Sequence, residues 1–339
     1  MNKGGMSLVQ QLLQADPSFK VFLTFFGLAT LMLFAVLGFV TYAILAERKV
    51  MGYMQLRSGP SVTGGRFGLL QTVADVLKLL LKEDVIPHAA DRKLFILAPV
   101  ITFIPAFMVL AAIPFTENFQ FADIGIGLLY YIGISGLSVL GIVLGGWASN
   151  NKYSLIGGMR AAAQMISYEI PLVLSVIGVI LLAGSLNLNN IVAAQEHMWF
   201  IVYQPIGFFI FFIASVAELN RVPFDLPEAE SELVAGYHVE YSGFRFAFFM
   251  LAEYVYMFAA AALITVLFLG GWHPLPFLDF IPGALWFAFK FMLIIFVLLW
   301  IRFTFPRIRG DQLMEFAWKV LIPIALINIF MTAILKEFL

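Results

Sequence analysis

The sequence predicts an all-α, polytopic membrane protein of about eight transmembrane helices, with an interfacial amphipathic helix in the first inner loop. Three observations carry this. Hydrophobic residues make up 62% of the 339 and charged residues 12%, against about 45–50% and about 25% in soluble domains. Eight apolar stretches approach the roughly 20 residues a bilayer-spanning helix needs. Their interiors lack the two-residue alternation of a membrane barrel strand, and a helix satisfies its own backbone in lipid.

The stretches run about 22–46, 94–115, 126–148, 160–184, 201–219, 244–270, 284–303 and 316–336. Pro99, Pro105, Pro171 and Pro323 fall inside them, where kinks are tolerated because neighbouring helices and waters re-satisfy the freed backbone. Residues 1–19 are polar and mixed and do not read as a cleaved signal peptide. No internal repeat or low-complexity run appears, so 1–339 reads as one integral membrane domain.

Loop charge sets the expected orientation. The odd loops hold fifteen Lys and Arg, and the second, fourth and sixth hold none. By the positive-inside rule the odd loops face the cytoplasm and both termini face outward. In the first loop, residues 66–83 place Gln71, Asp75, Lys78 and Lys82 on one helical face, with Leu69, Leu70, Val73, Val76, Leu77 and Leu80 opposite. That 3.6-residue period predicts a helix lying in the interface rather than crossing it.

Composition excludes several chemistries. There is no Cys, which removes disulfides, thiolate zinc, iron–sulfur ligation and a Cys nucleophile. The four His (His88, His197, His238, His273) are scattered, so no covalent or metal cofactor is expected in this chain. A net charge of −1 with no basic tail points away from nucleic acid.

Ionisable residues inside apolar helices are costly and are functional by default. Glu169 lies in the fourth span, Glu218 near the inner end of the fifth, Glu253 in the sixth and Lys290 in the seventh. Counted at 1.5 Å per residue, Glu169 and Glu253 sit roughly 13 Å from the inner end and Lys290 roughly 18 Å, so all three are expected to meet near mid-depth. Buried carboxylates can exchange protons near neutral pH, which suggests a proton path. An acidic inner loop, 218–243, begins at Glu218 and adds Asp225, Glu228, Glu230, Glu232 and Glu240 around one base, Arg221. In the third loop region Gly157-Gly158 permits either close helix contact or a tight turn.

At three long motifs the chain resembles the family of the quinone-chamber membrane subunit of proton-pumping NADH–quinone oxidoreductase, respiratory complex I. These are Glu47-Arg48-Lys49-Val50-Met51-Gly52-Tyr53-Met54-Gln55-Leu56-Arg57 with Gly59-Pro60; Trp147 to Tyr153 running into Met159 to Glu169; and Glu218 to Glu232 followed by Val239-Glu240-Tyr241-Ser242. The resemblance spans nearly the whole chain. It implies a non-redox membrane component, inactive alone, that forms much of the access path and chamber for a lipophilic quinone substrate. It places Arg48 and Asp75 at that chamber, and Glu169, Glu218, Glu228, Glu230, Glu232 and Glu253 on an acidic path coupling quinone reduction to proton translocation.

The implied partners are peripheral-arm subunits carrying iron–sulfur clusters and the quinone-head site, small and antiporter-like membrane subunits, and membrane lipid. The implied location is a bacterial inner membrane. Two departures from the family pattern stand out: Gly157-Gly158 where Gly-Ala is commoner, and His238 where Asn is frequent. His238 raises the expectation of a group titrating near pH 6–7, against that of a satisfied loop His. Two other readings are weighed: a homologous membrane anchor of a membrane-bound hydrogenase or related dehydrogenase, and a stand-alone ion-coupled transporter. The interfacial helix disfavours the first and the missing repeats disfavour the second.

Overall fold

The computed structural model describes residues 18–338 except 66, 118, 228–229 and 275–279. Among these the fold is helical, its only strand-like pairing being an isolated bridge between Thr116 and Phe119. The long helices are α1 (Phe19–Met54), α3 (Arg92–Met108, extended by a 3-10 turn to Ala112), α4 (Gly127–Ser135) continuing into α5 (Leu137–Ala148), α6 (Lys152–Ala183), α11 (Gly243–Phe268) and α12 (Gly283–Thr304). The last span comprises α13 (Gly310–Glu315), a π-helical turn (Phe316–Leu321) and α14 (Ile322–Phe338). Short helices fill the connections: α2 (Gln71–Leu81), α7 (Leu188–Ala193) and α10 (Glu230–Leu233). Among the described residues seven helical segments are thus long and apolar enough to cross a membrane, and the chain is an integral membrane protein.

The fifth apolar stretch is broken into α8 (Phe200–Tyr203) and α9 (Pro205–Glu218). Pro205 has no N–H and disfavours the α conformation in the residue before it. Gln204 accordingly leaves the helix, at φ −133° and ψ 57°. Its amide donates to Thr332 on α14 at 2.7 Å, which ties the break to the last span.

Helix starts follow local chemistry. Ser18, Asp91 and Asn151 each accept backbone N–H groups at the starts of α1, α3 and α6, the ordinary N-cap role of these residue types. Asn151 starts α6 eight residues before the expected position 160. Lys152 and Arg160 therefore lie on a helix rather than in a loop. Gly157 and Gly158 are mid-helix and serve close contact: a Cβ on Gly157 would stand 2.6 Å from Gly236 Cα, and one on Gly158 3.3 Å from the Ile142 carbonyl.

Burial ranks the helices. Every residue from Ala259 to Phe268 of α11 is buried, so this helix is the core of the bundle. Helix α1 lies at the edge, with Phe22, Phe26, Leu31 and Phe34 exposed. Such continuous apolar surface suits hydrocarbon rather than water.

The four basic loop regions converge at one end of the bundle. Asn150 donates to the Ala89 carbonyl at 3.0 Å, Arg245 pairs with Asp84 at 3.0 Å, Arg307 with Asp225 at 2.8 Å, and Arg160 with Glu232 at 2.8 Å. The connections without Lys or Arg meet at the opposite end, through Asn187 with Asp123 at 2.7 Å and Asn189 with Gln120. These two ends are called inner and outer below.

Candidate functional site

A line of charged side chains enters the bundle from its inner end. Glu47, near the end of α1, is buried. Burying a carboxylate requires compensation, and three side chains from distant parts of the chain supply it. Arg302 on α12 reaches Oε1 at 2.5 Å, Tyr254 on α11 donates to Oε2 at 2.8 Å, and Arg221 Nη1 lies 3.5 Å from Oε2. Arg221 in turn donates through Nε to Glu253 at 2.6 Å, and its guanidinium stacks 4.5 Å from the Tyr254 ring centre. Two carboxylates and two guanidiniums thus neutralise each other, with Arg221 and Glu47 buried and Arg302 partly exposed.

Beyond Glu253 the line continues through space rather than through bonds. A cavity of about 40 Å³ is lined by Glu253, Glu218, Asn220, Tyr256 and Ser138. A second, also about 40 Å³, is lined by Glu218, Glu169, Tyr131, Ser135, Ser138 and Tyr256. Each has polar groups on a largely apolar wall and is roomy enough for water by the usual volume criterion. Glu218, at the last residue of α9, belongs to both. The order is therefore Glu169, Glu218, Glu253, Arg221, Glu47, Arg302, crossing from α6 through α9 and α11 to α1 and α12.

Arg48, next to Glu47, points the other way and pairs with Asp75 of α2 at 2.5 Å. Lys78 lies 4.0 Å from the same carboxylate. Leu69, Leu70, Val73, Val76, Leu77, Leu80 and Leu81 on and beside α2 are all exposed, so this short helix carries an uncovered apolar face. The Arg48–Asp75 pair fastens it to the inner end of α1.

The remaining candidates lie elsewhere. Glu232 is at the inner surface, paired with Arg160 beside an open depression of about 480 Å³ that Arg307, Arg309 and Asp311 also line. Glu230 opens α10, and Glu228 lies outside the described residues. Glu240 accepts from Asn151 at 2.6 Å. His238 is buried in the inner loop, and burial pushes its pKa down to about 4. It therefore does not titrate near pH 6–7.

Lys290 does not join the acids. Its ammonium donates to the carbonyls of Leu269, Gly271 and His273 at 2.6, 3.0 and 2.6 Å and sits 4.1 Å from the Trp199 ring centre. Counting along α12 gives its height but not its direction. The segment after α11 folds back over the outer end, and Lys290 satisfies the carbonyls left there.

Residues 27–333 match the NADH dehydrogenase family. Chains described as the H subunit of NADH-quinone oxidoreductase, from Bacillus thuringiensis (strain Al Hakam) and Bacillus cereus (strain AH187), are each 75% identical over 330 residues. The match covers 97% of this chain and 99% of theirs. The chain belongs to this NADH-quinone oxidoreductase family. A member of the NADH-quinone oxidoreductase family at this identity is a membrane component of a multisubunit enzyme, and its buried charges are read in that setting.

Three participants are given no site role by the sequence: Glu47, Arg221 and Arg302. Arg221 has a signal, being the single base in a run of acids. Glu47 and Arg302 have only their position at the ends of apolar helices. Among the described residues no group of three or more His, Cys, Asp or Glu is placed to hold a metal ion.

Proposed function

We propose that this chain forms much of the access path and chamber for a lipophilic quinone in a proton-pumping NADH–quinone oxidoreductase, and passes the charge change of quinone reduction to an acidic path. The observation that carries the reading is the sequence Glu169, Glu218, Glu253, Arg221, Glu47, joined by two small cavities and two ion pairs. Reducing a quinone consumes two protons and creates transient negative charge. Carboxylates in a low-dielectric interior respond strongly to such a charge. Arg48 and Asp75, on α1 and the apolar-faced α2, border the chamber in this reading. Glu228, Glu230 and Glu232 of the acidic inner loop belong to the path in this reading, with Glu232 at its inner surface.

Electrons reach the quinone from peripheral subunits that carry iron–sulfur clusters, because a chain with no Cys offers no thiolate ligands. The chain expressed alone is then inactive, and small and antiporter-like membrane subunits flank it. Its setting is a bacterial inner membrane with both termini outside, since the basic loops gather at one end.

The test is Glu169→Gln in the intact complex, measured as quinone-linked NADH oxidation and acidification in inverted vesicles, per assembled complex. Gln keeps the shape and hydrogen-bonding capacity but carries no titrating proton. The expected result is assembled complex with both activities reduced together. Wild-type values of both would defeat the proton-path assignment.

A further inference from the structure

We propose that the phenol of Tyr256 is a proton relay joining the two cavities on either side of Glu218. The inference rests on the proposed acidic path and adds a residue to it. The two cavities share five wall residues: Ser138, Met165, Glu218, Leu219 and Tyr256. Met165 and Leu219 carry no exchangeable side-chain proton, and Ser138 already donates its hydroxyl to the Ser135 carbonyl at 2.8 Å. That leaves Glu218 itself and Tyr256 as the shared groups whose proton is not already held on a backbone carbonyl.

Tyr256 is placed for this. It sits on α11 three residues after Glu253, almost one helical turn, and so on the same side of that helix. Its Oη is buried and makes no hydrogen bond of good geometry among the described residues. The Ser138 hydroxyl lies beside it and gives its own proton to the Ser135 carbonyl, so towards the phenol it can only accept. A buried hydroxyl without a full partner costs free energy, and a hydroxyl that only packs a core is replaced by Phe at no loss. Tyr256 lines both cavities, and a buried phenol between them is explained if it exchanges hydrogen bonds with their contents. Tyr254, two residues earlier, makes the contrast: its hydroxyl is committed to Glu47 at 2.8 Å.

The step conserves protons and charge. The Oη–H bond breaks as its proton moves to the acceptor in one cavity, a carboxylate or a water. Oη takes a proton from the donor in the other cavity, a carboxylic acid or a water. The phenol is restored and no electrons are transferred. A tyrosine serves because a hydroxyl both donates and accepts.

The experiment uses Tyr256→Phe in the complete complex, beside Glu218→Gln. The readouts are quinone-linked NADH oxidation, NADH oxidation with a hydrophilic acceptor, acidification in inverted vesicles and the H2O/D2O rate ratio, per assembled complex. Tyr256→Phe is expected to assemble normally, keep the hydrophilic-acceptor rate and lose about three- to tenfold of quinone-linked turnover and acidification together. The solvent isotope ratio is expected to rise, because proton transfer becomes slower relative to the other steps. Wild-type turnover with an unchanged isotope ratio overturns the relay. Loss of assembly also overturns it, by showing that the hydroxyl holds the fold. If Glu218→Gln is itself wild-type in turnover and acidification, the path fails. If only Tyr256→Phe is wild-type, the relay alone fails.

Discussion

Arg221 and Glu253 are bonded at 2.6 Å, with the arginine side chain 2% exposed and the carboxylate 16%. The arginine comes from the acidic inner loop and the glutamate from the central helix. This one contact therefore fixes the loop to the core. Removing one partner of a buried pair leaves an uncompensated charge and costs about 3–5 kcal/mol. Arg221→Ala is expected to reduce assembled complex in the membrane sharply, because it strands Glu253, whereas Glu47 keeps Arg302 and Tyr254. Arg221→Lys keeps the charge but loses the planar fork that faces two carboxylates, and is expected to assemble partially. Native-gel quantification of the complex checks both.

The Arg48–Asp75 pair is half open to solvent, so its loss costs little stability, about 0–1 kcal/mol. Arg48→Ala is expected to assemble and to impair quinone-linked NADH oxidation, while oxidation with a hydrophilic acceptor survives. Asp75→Asn is expected to behave alike. Equal loss of both activities in assembled complex would assign the pair a structural role only.

Lys290→Met strands three carbonyls at the outer end of the bundle. An unsatisfied buried polar group costs about 1–3 kcal/mol. The complex is expected to inactivate at a lower temperature, with unchanged turnover per assembled complex. A specific loss of proton translocation at normal thermal stability would return Lys290 to the path.

His238 predicts an acid sensitivity. Burial lowers its pKa from about 6.5 to about 4, so the folded state holds the neutral ring while the unfolded chain takes up a proton first. The contribution is fully present above pH 6.5 and is lost as pH falls towards 4, by at most about 3 kcal/mol. His238→Gln carries no such proton. Its thermal inactivation curve is expected to shift less than wild type between pH 7 and pH 5.

Much of the architecture is legible in the sequence because hydrocarbon imposes it. Runs of apolar residues, loop charge and the scarcity of buried charges locate the spans, the inner end, and Glu169, Glu218 and Glu253. What escapes depends on pairing across sequence distance. Glu47 and Arg221 are 174 positions apart, and nothing local to either names the other. Lys290 is misplaced by sequence reasoning for a related reason. Its depth follows from helix rise, but its partners are backbone carbonyls of an irregular segment, and carbonyls leave no residue-type signal. The break at Gln204 is readable from Pro205, but a continuous apolar run through it conceals the change in backbone.

The clamp on the outer end of α11 has a mechanical consequence. Lys290 holds the carbonyls of Leu269 and Gly271, and buried Gln195 bonds both the Val266 carbonyl and the Gly270 N–H, at 2.8 and 3.0 Å. One end of the helix is thereby pinned, and Glu253 lies sixteen residues away, a lever arm of about 24 Å. Any tilt of α11 pivots at the pin and is magnified with distance from it. A rotation of about 5° would carry Glu253 through roughly 2 Å, enough to make or break its 2.6 Å bond with Arg221. A displacement at the inner end would then alter that contact while the outer packing stays unchanged.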